Sequence, residues 1–215
     1  MIVLTLLIVT PIGIGSAIYL TEYAKGGKLV RMIEFTTETL SGIPSIIYGL
    51  FGMVFFGVVC GLGFSILTGA LTLAIMILPI ITRTTQEALK TVPESYRSGA
   101  LGMGATKWYM IRTIILPSAM PGIVTGVILG IGRIVGESAA LLFTAGSVNM
   151  MPKLAGMGIF EHALKSGGTL TIQMYLSMTK ADYASAFGIA LVLLIVVLGI
   201  NLLTKYITKK LDTNK

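Results

Sequence analysis

Two charged residues in an otherwise apolar segment have the types and spacing to act on an anion. Arg133 and Glu137 are four residues apart in the run from Gly122 to Ala145. On a helix this spacing places both on one face, where they can pair. A guanidinium presents a planar fork of donors that matches an oxyanion, and Glu137 would hold it in place and partly neutralise it. The alternative is a structural ion pair that locks two helices together.

A second candidate site lies in the long polar stretch 83–117. Gly104 permits a turn with positive φ, so the pattern predicts two short helices joined there. They would form a knob in the cytosol with Ala105 and Trp108 at its tip, and Pro117 and a second proline four residues later would end the second helix. Exposed apolar residues on a helix suit docking into a partner's groove. The alternative is a helix in the lipid headgroup layer, anchored by Trp108.

The composition indicates that these sites are held by membrane helices. Of the 215 residues, 54% are hydrophobic and only 12% are charged, whereas a soluble domain carries about 25% charged residues. The apolar runs are continuous, which favours helices over the alternating strands of a barrel. The single cysteine, Cys60, offers neither a disulfide framework nor a metal cluster, and the single histidine, His162, lacks ligand spacing.

Runs of roughly 20 apolar residues predict about five spans in an all-α bundle. Their approximate positions are 1–20, 43–61, 64–82, 122–145 and 184–204, with 83–117 as a cytoplasmic loop. Between them, 21–42 is predicted to be a short interfacial helix followed by a break, and 146–182 could dip into the membrane. Twelve of the 16 lysines and arginines fall on one side of these spans. This bias predicts that the N-terminus lies outside and the C-terminus in the cytoplasm.

The cytoplasmic loop resembles the motif of bacterial ABC-importer permeases: Glu-Ala-Ala, three residues, Gly, nine residues, Ile, one residue, Leu-Pro. This chain keeps the spacing but has Ser and Gly in place of the leading Glu and Ala. In the family that Glu helps to hold the loop against the ATPase, so the resemblance implies an ATPase-coupling loop with an altered polar contact. The residues implied are Ser98, Gly99, Ala100, Gly104, Ala105, Thr106, Trp108, Ile114, Leu116 and Pro117.

Residues 132–146 resemble one branch of that family, the A-type permease subunit of phosphate-specific transporters. Segments 41–50, 78–85 and 169–175 are similar to it as well. The resemblance implies a type I ABC importer permease fold in a single transmembrane domain over 1–215. The substrate path is expected to include Arg133, Glu137 and Ser138. Arg83, at the inner end of the third span, would guide phosphate out, and the alternative for it is a positive-inside anchor. Because the family normally has six spans beginning inside, we expect the first family helix to be missing here.

The resemblance also implies partners and a setting. These are a second, C-type permease subunit, an ATPase dimer, an extracytoplasmic phosphate-binding protein, membrane lipid and the substrate phosphate, with no nucleic acid. A bacterial or archaeal cell membrane is expected. No Gly-Lys-Ser/Thr phosphate loop is present, so we expect ATP hydrolysis on a separate chain, and no cofactor or catalytic residue in this one. The alternatives are a permease for sulfate or molybdate and a non-transporting assembly or sensory subunit.

Overall fold

The computed structural model describes residues 1–24, 26–147 and 162–213, with side chains as far as 210. Helix is the only regular secondary structure in these residues. The helices are α1 (Ile2–Tyr23), α2 (Lys28–Ser41), α3 (Ser45–Val59), α4 (Ile66–Lys90), α5 (Glu94–Gly102), α6 (Lys107–Gly136), α7 (Ala139–Thr144), α8 (Leu170–Thr179) and α9 (Tyr183–Thr213).

Four of these helices, α1, α4, α6 and α9, are long and apolar enough to cross a membrane. Helices α2 and α3 bend by 101° at a short break and make a fifth span if they are counted as one. The prediction of an all-α bundle of about five spans is therefore confirmed.

Helix α4 is the centre of the bundle. Its side chains at Leu73, Ile77 and Ile81 are fully buried, and their spacing of four residues places them on one face of the helix. Helices α1, α3 and α6 pack around it. In α9, by contrast, only 6% of the apolar window is buried, because this helix presents its apolar side chains to lipid rather than to the core.

Two glycines bring α4 and α6 close together. A Cβ atom on Gly126 would collide with the Thr84 side chain, and one on Gly130 would lie 3.2 Å from Ile77 Cγ2. Small residues allow this close backbone approach, which supplies much of the packing between helices in lipid. The contact fixes the register of α6 on α4 and therefore the position of every α6 side chain.

The prolines in α6 do not end the helix, contrary to our expectation. The helix begins at Lys107 and continues through Pro117 and Pro121 without a break. A proline lacks an N–H, and its ring crowds the preceding turn. The turn at Ile111–Ile115 is a wider π-helical turn that ends two residues before Pro117. It includes Thr113, the residue four positions before the proline, and so makes room for the ring.

The predicted span 122–145 is wrong at its outer end. Helix α6 ends at Gly136, and Glu137 has an extended backbone with ψ of 126° before α7 begins at Ala139. The predicted loop 83–117 is also largely helical, since α4 continues to Lys90 and α5 and α6 occupy most of the rest.

The two connecting segments differ in what the structure describes. Helix α2 has no buried residue and is followed by a break at 42–44, as expected for an interfacial helix. In the segment predicted to dip into the membrane, 148–161 lie outside the described residues. The remainder includes α8, which packs on α9.

Candidate functional site

The break between α6 and α7 is organised by Glu137. Its Oε1 accepts a hydrogen bond of 3.0 Å from the backbone N–H of Ala140, so the carboxylate caps the first turn of α7. The Thr171 hydroxyl donates to the Glu137 carbonyl at 2.8 Å, which ties the break to the start of α8. The side chain is buried, with 9% of the residue exposed. Glu137 therefore shapes the backbone beside Arg133.

Arg133 lies in the last turn of α6 and is exposed. Contrary to the prediction, no ion pair joins Arg133 to Glu137, because Glu137 lies beyond the helix end and its carboxylate faces α7. Arg133 makes no ion pair with any other residue that the structure describes. Its charge interacts electrostatically with Tyr48, whose hydroxyl donates to the Leu40 carbonyl at 2.7 Å where α2 meets α3. An exposed guanidinium that pairs with no carboxylate among the described residues keeps its donors available for charge-assisted hydrogen bonds.

The other two predicted path residues lie in different surroundings. Ser138 is half-buried between α6 and α7, directly after Glu137. Arg83 is on α4, where its side chain is 53% exposed and pairs with Glu87 at 3.3 Å. Gly126 of α6 packs against Thr84, the neighbour of Arg83 on α4. Arg133 lies seven residues further along α6 than Gly126, which is about 10 Å along the helix axis. The structure therefore does not bring Arg83 into the Arg133 site.

Arg83 instead lines a polar cavity of about 230 Å³ between α2 and α4. The carboxylates around it outnumber the cations, since its lining residues are Glu34, Thr37, Glu38, Arg83, Gln86, Glu87 and Lys90. This excess of negative charge weakens anion binding. Among the described residues, no group of three or more His, Cys, Asp or Glu side chains could hold a metal ion.

The coupling loop turns at Gly104 as predicted, but only the first of the two helices joined there is short, since α5 has nine residues and α6 continues to Gly136. Gly104 has φ of +83°, a conformation that other residues adopt only with strain. The Thr106 hydroxyl accepts a hydrogen bond of 3.3 Å from the Tyr109 N–H and so caps α6. The Ala105 N–H donates to the Ala100 carbonyl at 3.1 Å, which closes the turn. We call residues 94–110 the knob.

The knob presents a largely apolar face to its surroundings. Met103 is 84% exposed and Trp108 is 60% exposed. Ala105 is half-buried because the turn folds it back onto α5, so Met103 replaces it at the tip. The large apolar side chains exposed on the knob are Tyr96, Leu101, Met103, Trp108 and Tyr109. Several large apolar side chains exposed on one polar loop are typical of a surface that docks a partner protein.

The remaining residues of the motif divide between surface and core. Ser98 is exposed, and its hydroxyl donates to the Glu94 carbonyl at 3.1 Å, so it stays on its own helix. Ala100 is 2% exposed and packs in a buried cluster with residues of α1, α4 and α6. Gly99 has open space around it. Ile114 and Leu116 are half-buried against the same cluster, and Pro117 is exposed.

Sequence reasoning missed the ion pair that holds the knob against α1. Arg97 Nη2 lies 2.9 Å from Glu22 Oε1, with the two side chains 13% and 5% exposed. The same guanidinium donates to the Leu89 and Val92 carbonyls at 2.9 and 2.8 Å. The hydrogen bond to Glu22 raises the pKa of Arg97 above its ordinary value. No local pattern predicts this pair, because 75 residues separate its members.

Comparisons with known proteins agree with this architecture. A family model described as "binding-protein-dependent transport system inner membrane component" matches residues 10–213. A protein of Bacillus subtilis described as a probable ABC transporter permease is 36% identical over 98% of this chain and 76% of its own length. A phosphate transport system permease of Mycobacterium tuberculosis is 37% identical over 89% of this chain and 62% of its own length.

Among solved structures, an inward-facing methionine ABC transporter matches with a TM-score of 0.75. The match covers 98% of this chain and 88% of that chain at 21% identity. At this identity the match supports the shared fold alone.

Proposed function

This chain belongs to the family of binding-protein-dependent transport system inner membrane components, and from that membership we propose that it is a permease subunit of an ATP-driven importer of inorganic phosphate. One observation carries the choice of substrate. Permeases of phosphate transport systems are 37% identical to it over 89% of the chain. The chain spans 62% of the length of that relative, so the substrate and the partners are part of the proposal.

The proposed path passes Arg133. Its exposed guanidinium offers charge-assisted hydrogen bonds to an oxyanion. A cation at the end of a span is costly in lipid and is accommodated by facing a water-filled path or a protein interior. In the assembled transporter, a second permease subunit supplies the opposite wall of this path, and an extracytoplasmic phosphate-binding protein delivers the substrate to it.

The ATPase acts on this subunit at the knob. An ATPase dimer on separate chains docks against the exposed face that includes Met103 and Trp108. Helix α6 starts in the knob and runs unbroken from Lys107 to Gly136, a length of about 45 Å. One helix therefore carries both Trp108 of the docking face and Arg133, so a displacement of the knob by the ATPase moves the guanidinium directly.

Uptake by cells tests the function. The gene is deleted and restored on a plasmid, and initial rates of labelled phosphate uptake are measured with excess sulfate or molybdate as competitors. We expect deletion to remove phosphate uptake, restoration to return it, and neither competitor to reduce it. Competition by sulfate or molybdate would assign a different oxyanion. Normal uptake in the deletion strain, with altered phosphate-responsive gene expression, would assign a sensory role instead.

A further inference from the structure

Arg97 lies where three elements meet. It belongs to α5, and its Nε and Nη2 lie 3.1 and 2.9 Å from Glu22 Oε1 in the last turn of α1. Its other donors reach the carbonyls of Leu89, in the last turn of α4, and Val92, in the turn that follows. A single planar side chain thus joins the knob to the cytoplasmic ends of two spans.

A second contact joins the same elements. Lys107, the first residue of α6, places its Nζ 5.2 Å from the centre of the Tyr23 ring, a distance at which a cation is attracted to the ring face. Tyr23 directly follows Glu22, so α5 and the first turn of α6 contact the same turn of α1. Ala17, one turn earlier, is fully buried in the cluster beneath them.

Of the two ion pairs that Arg97 makes with residues that the structure describes, the buried one with Glu22 is the stronger. Glu22 is 5% exposed, whereas Glu94, the other carboxylate that Arg97 contacts, is 82% exposed. Exposed ion pairs contribute little because water and salt screen them. Removing one partner of a buried pair leaves an uncompensated charge and is strongly unfavourable. The knob and the end of α1 therefore move as one body as long as the buried pair is intact.

We infer that the Glu22–Arg97 pair transmits displacement of the knob to α1, and that Arg97 is a positioning residue for transport. This inference rests on the proposed function. The knob then drives α6 through the continuous chain and α1 through the ion pair. Two spans that both pack on α4 thereby respond to one ATPase contact.

The test measures phosphate transported per ATP hydrolysed. The complete transporter is reconstituted in proteoliposomes with its binding protein, and the amount of ATPase that co-purifies is measured for each variant. We expect Glu22→Gln to keep the ATPase bound and hydrolysing while the ratio falls at least about fivefold, the lower range of coupling between linked sites. The matched control, Glu94→Gln, removes the exposed partner of the same arginine and should leave the ratio within about twofold.

A second variant tests whether the two residues act as a pair. Arg97→Gln should lower the ratio as Glu22→Gln does, and the double variant should lower it no further, since residues that act through one contact are not additive. An unchanged ratio in Glu22→Gln would overturn the inference. The inference would also be overturned if the variant yielded less assembled transporter but the transporter that did assemble kept the normal ratio of phosphate to ATP, because the pair would then serve folding only. If the unaltered transporter moves no phosphate, the proposed function fails instead.

Discussion

At the scale of single residues, the proposed chemistry depends on the guanidinium of Arg133, which pairs with no carboxylate in the part of the chain that the structure describes. The sequence singles out Arg133, because a charge in an apolar run needs a special environment. It misplaces Glu137, since spacing alone does not show that the helix ends at Gly136. A carboxylate that caps the next helix leaves Arg133 available to an anion. Arg133 and Glu137 therefore make different contributions, and substitutions can separate them.

Replacing Arg133 with Gln should abolish phosphate uptake while the complex still assembles. A charge-assisted hydrogen bond contributes about 1.5–3 kcal/mol, so the uptake rate should fall at least about tenfold. Arg31, an exposed arginine on α2, is the matched control, and Arg31→Gln should transport normally. Unaltered uptake by Arg133→Gln would remove Arg133 from the path.

Glu137 should tolerate loss of its charge but not of its oxygen. Glu137→Gln retains an acceptor for the Ala140 N–H, so stability and uptake should stay close to those of the native chain. Glu137→Ala leaves that buried N–H unpaired, at a cost of about 1–3 kcal/mol. Thermal unfolding midpoints in detergent distinguish the two variants. An equal fall of the unfolding midpoint in both variants would show that the charge of Glu137, rather than its hydrogen bond to Ala140, stabilises the protein.

At the scale of elements, the knob is the part that the sequence predicts best and its attachment the part that it predicts least. The Gly104 turn follows from residue type and spacing, since a glycine at a turn between two short helices signals positive φ. The continuity of α6 does not follow from the sequence, because two prolines argue for a helix end. Only the observed π-helical turn shows how the first of them, Pro117, fits. The Arg97–Glu22 pair joins residues 75 positions apart, a contact that exists only after α1 and α4 have packed.

Two glycines in the knob offer a matched pair of substitutions. Gly104 has φ of +83°, whereas Gly102 ends α5 without a positive φ, and both have open space where a Cβ would be placed. Gly104→Ala should strain the turn by about 1–2 kcal/mol and reduce both ATPase co-purification and uptake. Gly102→Ala adds the same methyl group in a helical conformation and should be tolerated. Equal behaviour of the two variants would show that the shape of the turn does not matter for docking.

At the scale of the whole molecule, α6 connects the proposed docking surface to the proposed anion site. The all-α class and the approximate spans follow from composition and apolar runs, which hold for any helix in lipid. The close contact of α6 on α4 at Gly126 and Gly130 sets the height of Arg133 in the bundle. The sequence alone does not choose this contact among several glycine pairs, because close packing depends on which face of each helix meets the other.

The most direct measurement is phosphate accumulation in proteoliposomes that contain the complete transporter, with ATP on the ATPase side and the binding protein on the other. We predict accumulation that requires ATP, persists in excess sulfate or molybdate, and is lost with Arg133→Gln while ATPase binding is kept. ATP-independent accumulation, or accumulation of the same size with Arg133→Gln, would contradict the account.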